Sequence, residues 1–362
     1  MAGGNTGSSA AGDAAAGGGG TAPVDPIPVN NPSDCAHLPA VGTWESVSPV
    51  GRAATAIVAD PWDSAILWLG TAGHGLWKST DCGATWAEVS SGRNHQAIEA
   101  SAIVSMVVDT VHRGTLYVVA IYPFDGAWKS VNGGVDWDQL FASSPAIGNQ
   151  MNCISVDPTN SLHLVVTMHA NCEAPYAPTC EAVTADGGAT WTCVKSPSSP
   201  EGNWEEGSNV WVLGATTWLY GGVHLWLTEN SGTTWTNLTP DPAVLFGFWS
   251  DHSHTIVRAS DGAYYIGSGQ GIARSTDAHV WTQMPSSGRV VGVVHGNGHM
   301  YAADQWSKSL RVASESDGSA WTAFPTPAQV PDDQGAPFIE YDAAHHLLFA
   351  TFGDGLWRVV TP

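Results

Sequence analysis

The chain has 362 residues, of which 43% are hydrophobic and 12% are charged, so it is long and apolar enough to bury a large core. Its 33 acidic residues outnumber its 12 basic residues and give a net charge of −21. Nucleic-acid phosphates are bound by clustered lysine and arginine, so this balance argues against a nucleic-acid partner and against an anionic membrane surface. A neutral ligand or a cation is easier to accommodate than a polyanion.

The first 41 residues are rich in glycine, alanine and serine and then in proline, which is typical of a flexible linker. This segment is similar to the tether that follows the anchor of bacterial lipoproteins, and it lacks the basic and apolar regions of a signal peptide. No apolar run approaches the ~20 residues of a membrane-spanning helix. We therefore expect an extracellular or cell-surface protein that does not itself insert into the membrane, with a leader that this chain does not contain.

Residues 42–362 alternate between short apolar runs and turns, which predicts a domain of many short strands. In the first unit, the runs Thr55–Ala59, Ile66–Gly70 and Gly75–Ser79 precede a turn that ends at Trp86. Comparable runs recur in later units, so each unit is predicted to hold four strands. Tryptophans equivalent to Trp86 are 40 to 54 residues apart, which suits one propeller blade per repeat.

The turn before each of these tryptophans carries a repeated motif, Ser/Thr-x-Asp/Asn-x-Gly-x-x-Trp. Four full copies and two degenerate ones occupy 79–86, 130–137, 184–191, 228–235, 275–281 and 314–321. The motif resembles the Asp-box, or BNR repeat, of the sialidase superfamily, which also includes xyloglucanases and sortilin-type receptors. In that superfamily the box joins the third and fourth strands of a blade, away from the ligand face. The resemblance implies that five residues are structural turn residues rather than catalytic acids: Asp81, Asn132, Asp186, Asn230 and Asp277.

The two ends of the chain are predicted to share one blade. The last repeat supplies three strands, at 338–342, 347–350 and 355–360, and then stops. The segment Gly42–Val47 is similar to the outer-strand segment Ala84–Val89 and would fill the fourth position. Six full repeats and this composite blade predict an all-β, seven-bladed β-propeller of four-stranded blades, whose closure leaves no open sheet edge.

The six cysteines form an even set, which suits an oxidising compartment. Cys172 and Cys180 are close in sequence, so a disulfide between them would pin one loop. A disulfide between Cys35 and Cys82 would tie the N-terminal segment to the first blade, and this choice leaves Cys153 to pair with Cys193. Because no Cys-x-x-Cys pair occurs, a zinc ribbon is not expected.

Propeller ligands lie at the mouth of the central channel, among the loops before each innermost strand and the loops between second and third strands. Repeat alignment places several histidines and acids there, and such side chains supply acid–base catalysis and metal ligands. The predicted catalytic residues are His74, His224, His252, His254, Glu206 and Asp304. A divalent metal is the candidate cofactor, with His169, His224, His252 and His254 as candidate ligands. The alternative is that these histidines only bind loop backbone or water.

Three tryptophans, Trp204, Trp249 and Trp306, lie outside the repeated motif and fall in mouth loops. Exposed aromatic rings form apolar platforms for ligands, so these residues are predicted either to stack on sugars or to pack within their loops. The mouth arginines Arg52, Arg93 and Arg289 are further predicted ligand contacts.

The catalytic residues of the resembling families do not carry over. Sialidases begin their first blade with Arg-Ile-Pro, whereas Arg52 is followed by two alanines. Xyloglucanases pair two propellers and place a catalytic aspartate where this chain has Ala72. A pair of acids such as Glu206 and Asp304 would still be able to flank a glycosidic bond.

The sequence therefore predicts a secreted, monomeric propeller whose partner is a glycan or polysaccharide bound at the channel mouth, with a glycoside hydrolase-like or polysaccharide lyase-like character. The alternative is a non-enzymatic scaffold of the cell surface that presents its loops to a protein partner.

Overall fold

The computed structural model describes residues 32–49, 53–141, 150–170, 172–177, 179–197, 209–239, 256–284, 288–336, 338–353 and 355–362, with the backbone alone for 150, 169 and 170. Within these ranges, 28 strands form seven antiparallel sheets of four strands each, which confirms the predicted seven-bladed β-propeller.

Blades 1 to 6 each take four consecutive strands in chain order, from the channel outward. Blade 1 comprises β2 (Ala54–Ala59), β3 (Leu67–Thr71), β4 (Leu76–Ser79) and β5 (Ala87–Glu88). Blade 2 comprises β6 (Ala102–Val108), β7 (Leu116–Ile121), β8 (Gly126–Ser130) and β9 (Asp138–Gln139). Blade 3 comprises β10 (Gln150–Asp157), β11 (Asn160–Ala170), β12 (Cys180–Thr184) and β13 (Thr192–Lys195).

Blade 4 comprises β14 (Asn209–Val212), β15 (Trp218–Gly221), β16 (Leu225–Thr228) and β17 (Thr236–Asn237). Blade 5 comprises β18 (Ile256–Arg258), β19 (Tyr264–Ser268), β20 (Gly271–Ser275) and β21 (Thr282–Gln283). Blade 6 comprises β22 (Val290–Gly296), β23 (His299–Asp304), β24 (Leu310–Ser314) and β25 (Thr322–Phe324). One short helix, α1 (His95–Ala100), lies between blades 1 and 2, and no helix in the described ranges is long and apolar enough to cross a membrane.

Blade 7 closes the ring with both ends of the chain, as predicted. Its inner strands are β26 (Ile339–Asp342), β27 (Leu347–Phe352) and β28 (Gly355–Val360), and β1 (Glu45–Ser46) pairs with β28 as the outer strand. The register places Glu45 opposite Arg358, and the buried Arg358 guanidinium donates to Glu45 Oε2 at 2.8 and 3.0 Å. The same guanidinium donates to the carbonyl of Cys82, so one side chain joins blade 7 to blade 1.

The core lies between neighbouring blades, where apolar faces of adjacent sheets meet. Between blades 1 and 2, Trp68 and Leu76 pack with Ile103, Leu116 and Trp137 in one buried cluster. Strands such as Leu67–Thr71 are buried throughout their length, because both faces of each sheet are covered by a neighbour. This arrangement explains why the strands read as continuous apolar runs rather than as alternating ones.

The repeated turn is held by its own side chains at the edge between the third and fourth strands. In blade 1, Asp81 Oδ1 accepts the backbone N–H of Thr85 at 2.8 Å, and Ser79 Oγ accepts that of Gly83 at 2.8 Å. The carboxyl or amide oxygens of Asn132, Asp186, Asn230 and Asp277 accept backbone N–H groups of their own turns in the same way. Gly83 has φ +81°, a backbone conformation that favours glycine, and a Cβ there would lie 2.9 Å from the Phe349 ring. Both the backbone conformation and the lack of space therefore require glycine at this position.

Two of the three predicted disulfides are confirmed, and the third is wrong. Cys35 binds Cys82, and Cys172 binds Cys180. Neither Cys153 nor Cys193 forms a disulfide. They lie on the first and fourth strands of blade 3, roughly 14 Å apart at the usual strand spacing, which is beyond the ~7 Å between Cα atoms that a disulfide spans.

Residues 32–41, which the sequence assigned to the linker, contact the propeller. Cys35 is bonded to blade 1, Ser33 donates its N–H to Asp63 Oδ1 at 2.9 Å, and His345 Nε2 lies 2.9 Å from the Ser33 carbonyl. This part of the predicted linker is therefore fastened to the seam between blades 1 and 7, while residues 1–31 lie outside the described residues.

Candidate functional site

One face of the ring, called here the mouth face, is formed by the loops before the innermost strands and the loops between second and third strands. In blade 6 these two loops are the segment that ends at Arg289 and the loop Gln305–Ser309. They are joined directly, because Gln305 N–H donates to the Arg289 carbonyl at 2.9 Å. The sequence-predicted residues Arg289, Asp304 and Trp306 are thus brought together.

Trp306 and Arg289 form a stacked pair, called here the Trp306 platform. Trp306 is 64% exposed, whereas Trp137 of the repeated motif is fully buried. The Arg289 guanidinium carbon lies 5.8 Å from the centroid of the indole ring, within cation–π range. Burial lowers the pKa of Arg289, although a guanidinium stays charged at any physiological pH. The platform therefore presents an exposed aromatic surface and a positive charge side by side.

Three polar atoms beside the platform are buried without a hydrogen-bond partner in the described structure. They are Nε and Nη2 of Arg289 and Oε1 of Gln305. Buried polar atoms are satisfied in most native proteins, because an unpaired one costs roughly 1–3 kcal/mol. The packing of this loop therefore leaves two donors and one acceptor buried and unpaired beneath the exposed indole.

Asp304, a predicted catalytic residue, holds the loop that carries Trp306. Its Oδ1 accepts the N–H groups of Trp306 and Ser307, both at 2.9 Å, and the residue is only 6% exposed. Its carbonyl accepts the N–H of Ala336 at 2.8 Å. This geometry makes Asp304 a residue that positions Trp306.

The loop before β26 braces the platform from blade 7. Lys308 N–H donates to the Asp332 carbonyl at 3.0 Å, and Lys308 Nζ contacts the Val330 carbonyl at 2.6 Å and Asp332 Oδ1 at 2.9 Å. Gly335 lies so close that a Cβ there would overlap the Gln305 carbonyl and approach Trp306 N to 2.6 Å. The Trp306 loop is therefore fixed between two blades rather than free to swing.

A second group of exposed aromatics was not predicted. Tyr122 and Phe124 lie in the loop between β7 and β8, on the mouth face of blade 2, and are 68% and 48% exposed. Asp125 Oδ1 accepts the Tyr122 N–H at 2.7 Å, and Ser101 Oγ accepts the Phe124 N–H at 3.2 Å. Two aromatics in a loop outside the repeated motif are the signal that would have revealed them.

Three other predicted residues are not brought to the platform. His74 and His224 are half-buried in the corresponding loops of blades 1 and 4, and the ring of His224 meets Trp226 edge to face at 6.2 Å. Arg93 lies beside β9, the outermost strand of blade 2, where Asp138 binds its guanidinium at 2.8 Å. Its predicted place at the mouth is a misassignment, because Asp136 and Asp138 hold it at the rim.

Trp204, Glu206, Trp249, His252, His254 and Arg52 lie outside the described residues, and the side chain of His169 is not described. Among the described residues, one group of metal-type side chains comes together, and it lies at the seam of blades 1 and 7: Cys35, Cys82, Asp342 and His345. Both of its sulfurs belong to the disulfide, so this group offers no thiolate.

Within the channel, the innermost strands enclose a cavity of about 230 Å³ that contains one carboxyl group. The lining is apolar, with Ile57, Met106 and Phe338 among its members, apart from Ser105 and Glu340. Burial raises the pKa of Glu340 to about 8, with a smaller contribution from Asp342, while the Tyr341 N–H opposes the shift. The Glu340 carboxyl is therefore mostly protonated at neutral pH and can donate a hydrogen bond.

Comparisons with known proteins find partial similarity to a curated enzyme and fold similarity to several solved structures. No protein-family model matches the chain. A probable oligoxyloglucan-reducing end-specific xyloglucanase of Neosartorya fischeri is 27% identical over 185 residues, which are 51% of this chain and 19% of that enzyme. The chain thus matches about a fifth of the length of this relative.

Solved structures of similar fold include a GH74 enzyme and YCF48. An ancestral GH74 enzyme superposes with a TM-score of 0.62 at 15% identity, covering 89% of this chain and 46% of the other. A structure of YCF48 bound to D1 peptide gives a TM-score of 0.61 at 16% identity, covering 90% and 99%. At these identities the likeness establishes the propeller fold alone.

Proposed function

We propose that this protein is a secreted propeller, similar to glycoside hydrolases, that binds a polysaccharide across its mouth face. The observation that carries the proposal is the Trp306 platform, because a 64% exposed indole fixed between two blades has no role in the core. Rigid aromatic rings with nearby hydrogen-bonding groups are how proteins hold sugar rings, whose C–H faces are apolar and whose edges are polar.

An extended ligand fits the distribution of aromatic residues around the mouth. Trp306 lies on blade 6, and Tyr122 and Phe124 lie on blade 2, with blades 7 and 1 between them. A short saccharide reaches one of these groups, whereas a polymer is able to engage both. We therefore infer a polysaccharide rather than a monosaccharide as the ligand, in line with the relative that acts on oligoxyloglucan.

The catalytic part of the proposal depends on residues other than Asp304. Ala72 occupies the position where the resemblance to xyloglucanases places an aspartate, and Asp304 is engaged in its own turn. Glu206, His252 and His254 remain the candidates for catalysis, with His74 and His224 as polar contacts. Hydrolysis of a glycosidic bond needs two carboxyl groups about 5–10 Å apart, so at least one further acid must act with Glu206.

A polysaccharide array followed by calorimetry tests the proposal. Wild-type protein is expected to bind at least one plant or bacterial polysaccharide, and Trp306→Ala to weaken that binding at least ~10-fold. Tyr264→Ala is the matched control, because Tyr264 also stacks with an arginine, Arg258 at 5.4 Å, but lies at the opposite face of the ring. Equal loss in both variants, or no binding to any glycan, would contradict the proposal.

The rival function is a scaffold that binds a protein partner with the same aromatic residues. An assay for reducing ends released from the bound polysaccharide distinguishes an enzyme from a scaffold. An enzyme loses turnover in Glu206→Gln combined with His252→Ala while it still binds the polymer. A scaffold shows no turnover before or after these substitutions, and its Trp306→Ala variant loses a peptide ligand instead.

A further inference from the structure

Glu340 stands at a position of the innermost strand where other blades carry a small or apolar residue. In four blades this strand ends at or just before an aspartate whose Oδ1 accepts the N–H of the residue two positions later, which aligns the strands: Asp60, Asp109, Asp157 and Asp342. The residues two positions before these aspartates are, in the same order, Val58, Val107, Ser155 and Glu340. Among these four blades the carboxyl group is particular to blade 7, so the repeat itself does not require it.

The Glu340 side chain lines the channel cavity of about 230 Å³ and is only half-buried. A molecule inside the cavity can therefore contact it, in contrast to the fully buried Glu181. The neighbouring innermost strands β2, β6 and β22 contribute residues 56–58, residues 104–106 and Gly292 to the lining, and none of these is titratable. Glu340 is thus the one titratable group among the described residues that line the cavity.

The protonated Glu340 carboxyl carries a hydrogen-bond donor that has no acceptor among the described residues. Burial holds its pKa at about 8, and the charge of Asp342 on the same strand adds to the shift. The backbone N–H of Tyr341 hydrogen-bonds to the carboxyl, but this group is a donor and leaves the O–H unused. The other polar lining residue, Ser105, is engaged elsewhere, because its Oγ accepts the N–H of Ile154 at 3.1 Å. The O–H of Glu340 can therefore donate to a molecule in the cavity.

The lining of the cavity favours an apolar molecule over a cluster of water. A buried water makes about two to four hydrogen bonds, and an apolar protein cavity of about 150 Å³ stays dry and binds benzene. The channel cavity is larger, at about 230 Å³, and most of its lining is apolar, as at Ile57, Met106 and Phe338. Glu340 can hydrogen-bond to one or two waters, whereas the remaining volume offers water no partner.

We propose that the channel cavity binds a small uncharged molecule with an apolar body and one hydrogen-bond acceptor, which accepts the O–H of Glu340. A sugar does not fit this lining, because its many hydroxyl groups would lose their hydrogen bonds to water. A cation would have to form a buried ion pair with Glu340, and the desolvation of both charges offsets their attraction. This site is separate from the Trp306 platform, so the inference does not depend on the proposed function.

Titration with cyclohexanone, followed by ligand-detected NMR, tests the proposal, because this molecule has an apolar ring and a single carbonyl acceptor. Wild-type protein is expected to bind it at pH 7 and to bind it about 10-fold more weakly at pH 9, since the ionised carboxylate cannot donate. Glu340→Met, which has a similar size but no donor, should lose ~10-fold in affinity at pH 7.

Two controls separate a role in binding from a role in packing. Glu340→Gln keeps a donor that does not titrate, so it should bind cyclohexanone equally well at pH 7 and pH 9. Glu181→Gln removes another carboxyl of raised pKa, one that does not line the cavity, and should leave the pH dependence of binding unchanged.

Several results would overturn the inference. They are the absence of cyclohexanone binding to the wild-type protein, which would mean that the channel holds water only, an affinity independent of pH, and an unchanged affinity in Glu340→Met. Cyclohexylamine has the same ring with an ammonium group. If it binds more tightly than cyclohexanone and gains affinity between pH 7 and pH 9, the site takes a cation and the assignment is wrong. The wild-type pH series decides the matter even if a substitution of Glu340 prevents folding.

Discussion

Replacing Glu181 with glutamine is expected to change how the stability of the propeller depends on pH. Glu181 lies on β12 and is fully buried, on the same strand face as Val183, which packs against Trp218 of blade 4. Burial raises the pKa of its carboxyl from 4.5 to about 8, partly offset by the hydroxyl of Ser196 and by its own backbone N–H. The folded protein therefore holds this proton over a pH range in which the unfolded chain has lost it.

The sign and size of the effect follow from this difference. Below pH 4.5 both states carry the proton, and the group does not change the free energy of unfolding. Between pH 4.5 and about 8 only the folded state keeps it, so the free energy of unfolding decreases by about 1.4 kcal/mol per pH unit, or about 5 kcal/mol in all. Above pH 8 the contribution is constant again. Glutamine has no proton to lose, so Glu181→Gln lacks this slope.

Urea unfolding followed by tryptophan fluorescence at pH 5, 6, 7 and 8 measures the difference. The Glu181→Gln variant is expected to match the wild type at pH 5 within ~1 kcal/mol and to exceed its free energy of unfolding by about 4 kcal/mol at pH 8. Glu340, whose pKa is also raised, is present in both proteins, so its contribution cancels in the difference between their free energies of unfolding. Glu88→Gln, at an exposed position of β5, controls for the substitution itself. Parallel pH curves for the wild type and Glu181→Gln would refute the reasoning.

Three further predictions concern the covalent links and the Trp306 loop. Thiol titration of the unfolded, non-reduced protein should find two reactive thiols, those of Cys153 and Cys193, and a count of zero would restore the third disulfide. Cys35→Ser should lower the free energy of unfolding by about 4 kcal/mol and Cys172→Ser by about 2.5 kcal/mol, because the two disulfides close loops of 47 and 8 residues. Equal losses of stability in denaturant unfolding would contradict this order. Gly335→Ala should weaken polysaccharide binding in calorimetry while the circular dichroism stays native, since the new Cβ displaces the Trp306 loop; unchanged affinity would show that the loop yields without cost.

The architecture was predictable because it depends on local chemistry that repeats. Each turn such as Ser79–Trp86 is closed by hydrogen bonds among its own residues. Such a turn can therefore be recognised from its own sequence, without knowledge of the rest of the fold. The composite blade was predictable from the strand count, because the last repeat supplies only three strands and every other repeat supplies four. The Cys153–Cys193 pairing failed because elimination ignores geometry, and two strands of blade 3 separate these residues.

The candidate site was predictable only in part, because it depends on contacts between loops of different blades. Arg289 and Trp306 were identified separately, but their stacking and the two unpaired donors appear only once the loops are folded. Arg93 looked equivalent to them in the repeat alignment, and Asp138 draws it to the rim instead. The raised pKa of Glu340 was not predictable, because its environment, an apolar channel, is produced by ring closure. Asp304 shows that an acid at a mouth position can serve a turn rather than a reaction.

A crystal structure of the protein soaked with the tightest saccharide from the array tests the central claim most directly. The account predicts a sugar ring stacked on the exposed indole of Trp306. A saccharide bound elsewhere on the propeller, with Trp306 and Arg289 unchanged, would contradict it.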